Sequence, residues 1–103
     1  MTDFEDKFGL PKRTIDELLD YFRQNPFVET VKIYGSRAKG NYKRGSDIDF
    51  AVWLKEGGKI STVACDLDEL QTPYKFDVTD YKKLTHKGMK DNIDKDGVVF
   101  YKN

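Results

Sequence analysis

Two stretches decide the fold of this chain: Val31-Lys32-Ile33-Tyr34-Gly35-Ser36 and, after ten further residues, Asp47-Ile48-Asp49-Phe50-Ala51-Val52-Trp53-Leu54. Each contains an apolar run of strand length, and a turn of small residues follows the first. Because strand side chains alternate between faces, Asp47 and Asp49 are predicted to share one face. Neighbouring carboxylates repel each other unless a cation lies between them, and oxygen ligands completed by phosphates suit Mg²⁺. The pattern therefore predicts a site for a nucleotide and a metal ion.

The segment between the two stretches is basic. From Thr30 to Ser46 there is no acidic residue, whereas five cationic residues occur there, namely Lys32, Arg37, Lys39, Lys43 and Arg44. A positive loop beside paired carboxylates suits a triphosphate and its metal. Gly35 allows the backbone to approach a phosphate closely, and Ser36 adds a hydroxyl donor. The alternative interpretation is a solvated basic loop followed by a strand that begins with Asp.

The overall composition narrows the class of protein. With 103 residues the chain is expected to form one domain, 1–103, without a separate substrate-binding lobe. Its 18 basic and 18 acidic residues balance, which argues against direct binding of nucleic acid. The single Cys65 fits a reducing compartment, and its apolar helical surroundings predict a buried packing role. The first six residues lack the apolar region of a signal peptide, and no apolar run is long enough for a membrane span. A cytoplasmic location is expected.

Hydrophobic spacing predicts three helices and four strands. Thr14-Ile15-Asp16-Glu17 has the pattern of a capping box, so the first helix is predicted to begin there and to end near Asn25-Pro26. The other predicted elements are strands over 28–34 and 47–54, a helix over 60–70, a strand over 75–79, a helix over about 87–94 that ends at Asp96-Gly97, and a strand over 98–101.

Strand alternation supplies a third carboxylate. In the strand 75–79, Phe76 and Val78 share one face and Asp77 lies on the other. If the apolar faces of all strands pack on helices, Asp77 emerges on the same open face as Asp47 and Asp49. Two of these carboxylates are then predicted to hold the Mg²⁺ ions, while the third helps hold the catalytic ion and accepts a proton from an attacking hydroxyl. Asp77 as an ordinary exposed residue is the alternative, with Asp80 as the fallback.

The segments Gly35-Ser36-Arg37-Ala38-Lys39-Gly40 and Ser46-Asp47-Ile48-Asp49-Phe50 resemble the signature of the polymerase-β-type nucleotidyltransferase superfamily, and the short chain is similar to its minimal nucleotidyltransferase (MNT) proteins. The resemblance covers nearly the whole chain, including the segment around Asp77. It implies an α/β (α+β) fold like the polymerase-β palm, with a mixed sheet, helices on one face and an open nucleotide site on the other. It also implies a site in which Asp47, Asp49 and Asp77 are catalytic and metal-binding and Gly35, Ser36, Arg37 and Ser46 bind the nucleotide.

The same resemblance implies ATP as substrate, two Mg²⁺ ions, and a small all-helical HEPN-type protein as partner. Many MNT proteins are paired with such a partner, in some cases as the antitoxin of a ribonuclease toxin, and there the MNT protein adds AMP to a tyrosine of the toxin. Transfer of AMP to the partner's tyrosine hydroxyl is therefore the predicted function. Two alternatives stay open: a catalytically idle module that neutralises its partner by covering it, and an adenylyltransferase for a small-molecule acceptor.

Three further residues have a predicted position but no predicted part in the metal site. His86, the only histidine, is expected at the surface or at a helix cap. Tyr34 and Trp53 are predicted on the open face, where either could contact a partner. Trp53 lies about 13 Å along the strand from Asp49, too far to stack on a base over the metals. A partner or the chain's own terminus could equally cover it.

Overall fold

In the computed structural model, which describes residues 8–43 and 45–103, one four-stranded sheet carries four α-helices. The elements are α1 (Lys12–Gln24), β1 (Val28–Tyr34), α2 (Ser36–Lys39), β2 (Ile48–Leu54), α3 (Ile60–Asp68), β3 (Phe76–Asp80), a 3-10 turn (Tyr81–Lys83), α4 (Lys87–Asp96) and β4 (Val98–Lys102). Arg44 of the predicted basic loop and residues 1–7 lie outside the described residues. The α/β fold class is confirmed.

The sheet has the strand order β3-β2-β1-β4 and is mixed. Strand β1 pairs antiparallel with β2 and with β4, whereas β2 and β3 are parallel. A parallel pair needs a crossover connection, and here α3 supplies it. In this strand order β1 and β2 are the two central strands. The Gly-Ser turn lies between them along the chain, and β2 carries Asp49.

The main core lies between one face of the sheet and helices α1 and α3. Strand alternation places Ile48, Phe50, Val52 and Leu54 of β2 on this face, as predicted. Leu18 and Phe22 from α1 and Val63 and Leu67 from α3 cover it. Aromatic rings fill the centre, where Phe22 and Phe50 meet edge to face at 5.4 Å between ring centroids. Burial of this apolar face is the main driving force for the fold.

The second face is not fully open, which corrects the prediction that all helices pack on one side. Helix α4 lies against it through Ile93, which is fully buried with Ala51 of β2. The members of this second cluster are Tyr34, Ala51, Trp53, Tyr81, Leu84, Met89 and Ile93. Because α4 covers the half of the face around Ala51 and Trp53, only the half around Asp49 stays open.

Several local predictions need correction. Helix α1 begins at Lys12 after Pro11, so Thr14 is a buried residue inside the helix and forms no capping box. Cys65 is exposed, because the buried side of α3 is formed by Val63 and Leu67. The predicted capping role of His86 is confirmed, since its Nδ1 accepts a hydrogen bond from the Met89 amide at 3.0 Å. None of the described helices combines the length and apolarity that crossing a membrane requires.

Candidate active site

The predicted carboxylates Asp49 and Asp77 lie side by side in the sheet. In the parallel pairing of β2 with β3, Asp49 is the register partner of Asp77. Neighbouring strands are about 4.8 Å apart, so the two side chains leave the same face next to each other. Asp47 precedes β2 by one residue and is exposed beside them. Asp80 follows the parity of Phe76 and Val78 and belongs to the opposite, helix-covered face.

The electrostatics of Asp49 show how close these groups are. The pKa of the Asp49 carboxyl is raised to about 6, first by burial and then by the negative charges of Asp77 and Asp47, while Arg37 opposes the shift. The pKa of the Tyr34 hydroxyl is also raised, first by burial and then by the charges of Asp49 and Asp77. The three carboxylates therefore repel one another, and a bound cation would reduce this repulsion.

Gly35 leaves room for Asp49. Its backbone has a φ of +78° and a ψ of −154°, a conformation that side chains rarely adopt. A Cβ built on Gly35 would collide with Oδ2 of Asp49. Register explains the contact, because Tyr34, the residue before Gly35, pairs with Asp49 across β1 and β2. The turn thus brings bare backbone against the central carboxylate.

Ser36 begins the short helix α2, which the sequence pattern did not predict. The helix has four residues and ends at Gly40, whose φ is +89°. Ser36 is half-buried, one residue from the turn beside Asp49. Ser36 therefore directly follows the turn that meets Asp49, and donation from its hydroxyl group to a phosphate stays a prediction.

Arg37 and Ser46 are bonded to each other instead of being open to a ligand. The Arg37 guanidinium is only 3% exposed, and its Nε and Nη2 donate to the Ser46 carbonyl at 3.2 and 2.9 Å. Ser46 also closes the loop, because its Oγ accepts a hydrogen bond from the Lys43 amide at 2.8 Å. In this structure both residues organise the loop, so we assign neither as a direct phosphate contact.

The other cations of the loop differ in their availability. Lys39 forms an ion pair with Asp96 of α4 at 3.5 Å, and Lys32 lies over the Trp53 ring at 5.7 Å. Lys43 is exposed. The loop is therefore not a uniform phosphate-binding surface, since its cations face in several directions.

Tyr34 and Trp53, the two residues predicted to contact a partner, differ in exposure: Tyr34 is buried, whereas Trp53 is half-buried. Tyr34 is 8% exposed, and its hydroxyl lies 3.3 Å from Thr79 Oγ1, close enough for a hydrogen bond. Trp53 stacks on Tyr81 with 4.2 Å between ring centroids. The turn after β3 thus covers part of Trp53, and contact of the remaining exposed part with a partner stays a prediction.

The donor set fits Mg²⁺ in its chemistry, because the site offers carboxylate oxygens that repel one another. Within residues 8–43 and 45–103, no group of three acidic, histidine or cysteine side chains is close enough to hold a metal ion by itself. Mg²⁺ in nucleotide sites usually takes one or two carboxylates plus phosphate oxygens. Asp47 and Asp49 can supply such a pair.

Comparison with known proteins bears on the function of this site. Residues 16–103 match the family model described as polymerase beta, nucleotidyltransferase. A comparison with functionally curated proteins finds no significant match.

Three solved structures are similar to this fold. A toxin-antitoxin with AMP-PNP has a TM-score of 0.65 and 20% identity, over 86% of this chain and 73% of that chain. The toxin-antitoxin MntA-HepT has a TM-score of 0.59 and 17% identity, over 89% and 73%. A protein of Sulfolobus solfataricus assigned as a nucleotidyltransferase has a TM-score of 0.50 and 30% identity, over 88% and 77%.

Proposed function

Because the chain belongs to the polymerase beta nucleotidyltransferase family, we propose that it transfers AMP from ATP to a tyrosine hydroxyl of a small helical HEPN-type protein and acts as the antitoxin of that partner. The observation that carries the proposal is the convergence of Asp47, Asp49 and Asp77 on the open half of one sheet face. Neighbouring carboxylates repel one another and destabilise the fold unless a bound cation reduces the repulsion. The structural likeness to toxin-antitoxin complexes supports the choice of partner.

In this proposal Asp47 and Asp49 hold Mg²⁺ together with the phosphates of ATP. When bound, the ion would screen phosphate charge and stabilise the charge that develops on the leaving group. The backbone of Gly35, which lies against Asp49, and the hydroxyl of Ser36, the next residue, are the proposed contacts to the phosphates. These residues bind and orient the nucleotide.

Asp77 is the proposed proton acceptor. The acceptor oxygen forms a bond to the α-phosphorus, the bond from that phosphorus to the bridging oxygen breaks, and pyrophosphate leaves. The hydroxyl proton passes to the Asp77 carboxylate, which is the exposed neighbour of Asp49. Asp77 thus acts on the acceptor side of the site, whereas Asp47 and Asp49 act on the nucleotide side.

Asp77→Asn is expected to lower kcat for transfer about a hundredfold or more while leaving ATP affinity within about threefold. A proton acceptor acts mainly in the transition state, so its loss has little effect on substrate binding. Transfer rates and ATP titration in the presence of Mg²⁺ measure the two effects. Asp80→Asn is the matched control, since Asp80 lies on the same strand but on the other face. Near-normal turnover of Asp77→Asn would remove Asp77 from the mechanism.

The proposed acceptor is tested by co-expression with the helical protein encoded by the adjacent gene. Intact-mass analysis of that partner should show added whole AMP units with the wild-type chain and none with Asp49→Asn. A stable complex in which the partner's mass never changes with ATP and Mg²⁺ would favour the idle binding module. AMP transfer to a small molecule, with the partner unmodified, would identify the other alternative.

A further inference from the structure

Arg37 is a buried cation whose hydrogen-bond partners in the described part of the chain are all backbone carbonyls. Besides its two bonds to Ser46, its Nη1 donates to the carbonyls of Phe8 at 3.0 Å and Gly9 at 3.4 Å. Burial of a charge is unfavourable unless hydrogen bonds compensate for it. The hydrogen bonds to backbone carbonyls therefore hold the Arg37 guanidinium inside the protein. An arginine that contacted a phosphate from the surface would not need these bonds.

Two aromatic rings lie beside the guanidinium group of Arg37. Its central carbon lies 5.3 Å from the centroid of Tyr42 and 5.2 Å from that of Tyr74. Tyr42 belongs to the loop between α2 and β2, and Tyr74 precedes β3, the strand that carries Asp77. Arginine suits this position better than lysine, because a planar fork can donate in several directions while it stacks between rings.

The position of Arg37 in the chain links these contacts to the site. It follows Gly35 and Ser36 directly, and its main acceptor, Ser46, precedes Asp47. Arg37 and Ser46 are the first and last of the ten residues between the Gly-Ser turn and Asp47. The hydrogen bonds between them therefore connect the two ends of this segment. The Ser46 amide also donates to the Lys43 carbonyl at 3.0 Å, so the loop is closed at the point that Arg37 holds.

From these contacts we infer that Arg37 is a positioning residue, which fixes the Gly35-Ser36 turn relative to Asp47 and Asp49 and touches no phosphate itself. The inference rests on the proposed function for its effect on transfer, but its structural part can be tested without ATP. Any role in catalysis is exerted through the loop and the carboxylates.

The test compares Arg37→Lys with Arg23→Lys, a matched control on an exposed helical arginine that pairs with Asp20 of the same helix, α1. Amide hydrogen exchange of the protein alone should be about tenfold faster at Ser46 in Arg37→Lys, with the amides of β1 and β2 unchanged. In transfer assays with Mg²⁺ and ATP, kcat should fall about tenfold or more and KM for ATP should change little. Arg23→Lys should behave like the wild type in both.

The inference is overturned if Ser46 exchange is unchanged, if KM alone rises as a direct phosphate contact requires, or if Arg37→Lys loses protection throughout the sheet. Tyr42→Leu provides a second variant with little risk to folding, because Tyr42 is exposed and its ring covers one side of the guanidinium. It should speed Ser46 exchange by about threefold, and unchanged exchange would also count against the inference. Absence of any transfer by the wild type would refute the proposed function but leave the exchange result decisive.

Discussion

Asp49→Asn is expected to reduce nucleotidyl transfer about a thousandfold or more and, at the same time, to stabilise the metal-free protein at neutral pH. Metal ions supply several kcal/mol of transition-state stabilisation, and each 1.4 kcal/mol is about tenfold in rate. Stabilisation follows because Asn removes a half-buried charge that Asp77 and Asp47 repel. A purely structural Asp49 would give the opposite sign in the second measurement.

The pH dependence fixes this sign. The Asp49 carboxyl has a pKa of about 6 in the folded protein against an ordinary value of 3.8. Between about pH 4 and pH 6 the folded state binds more protons than the unfolded state, so the free energy of unfolding falls as the pH rises. Asp49→Asn should lack this loss and should differ most from the wild type above pH 6.

Thermal unfolding in a chelator at several pH values measures the effect. Asp68→Asn, an exposed position at the end of α3, is the control and should follow the wild-type curve. The site assignment would fail if Asp49→Asn were less stable than the wild type at neutral pH, or if it retained transfer.

Gly35→Ala is expected to damage the fold locally and the site strongly. The backbone conformation at Gly35 costs a residue with a side chain about 1–3 kcal/mol, and the added methyl group would collide with Asp49 Oδ2. Displacement of a reacting group by about 1 Å can cost about a hundredfold in rate, so transfer should fall by at least that factor.

Gly40→Ala is the matched control for this prediction. Gly40 also has a positive φ, but a Cβ there would meet nothing within 4 Å. The control should lose about 1–2 kcal/mol of stability from backbone strain and retain transfer. Denaturant unfolding and transfer assays on both variants separate the effect of backbone strain from that of the collision with Asp49. Equal losses of transfer in the two variants would contradict the proposed role of the Gly35 contact.

The strands and the row of carboxylates were predictable because strand alternation has a fixed period. Once Ile48, Phe50 and Val52 must be buried, Asp49 is forced onto the other face, and the same argument separates Asp77 from Asp80. The start of α1 was not predictable from the capping pattern, since Thr14 resembles a cap whereas the helix already begins at Lys12, after Pro11. A helix as short as α2 gives no periodic pattern.

The placement of Arg37 and α4 could not be predicted from local sequence. An arginine in a basic loop usually faces solvent, and nothing in the sequence indicates that Tyr42, from its own loop, and Tyr74, from a distant segment, meet around it. Likewise Ala51 and Ile93 are separated by 42 residues, and their contact determines which half of the second face is covered. These features depend on tertiary packing, which no pattern of period 2 or 3.6 encodes.

The parallel pairing of β2 with β3 has a consequence for the order of folding. The 13-residue connection between β1 and β2 is shorter than the 21-residue connection between β2 and β3, so we expect β1 and β2 to associate first and β3 to dock once the α3 crossover has closed. Asp77 therefore reaches Asp49 in a late step, against the repulsion of a carboxylate already in place. We expect the repulsion between Asp77 and Asp49 to slow mainly the docking of β3. Docking of β3 should therefore be slower at neutral pH than in mild acid.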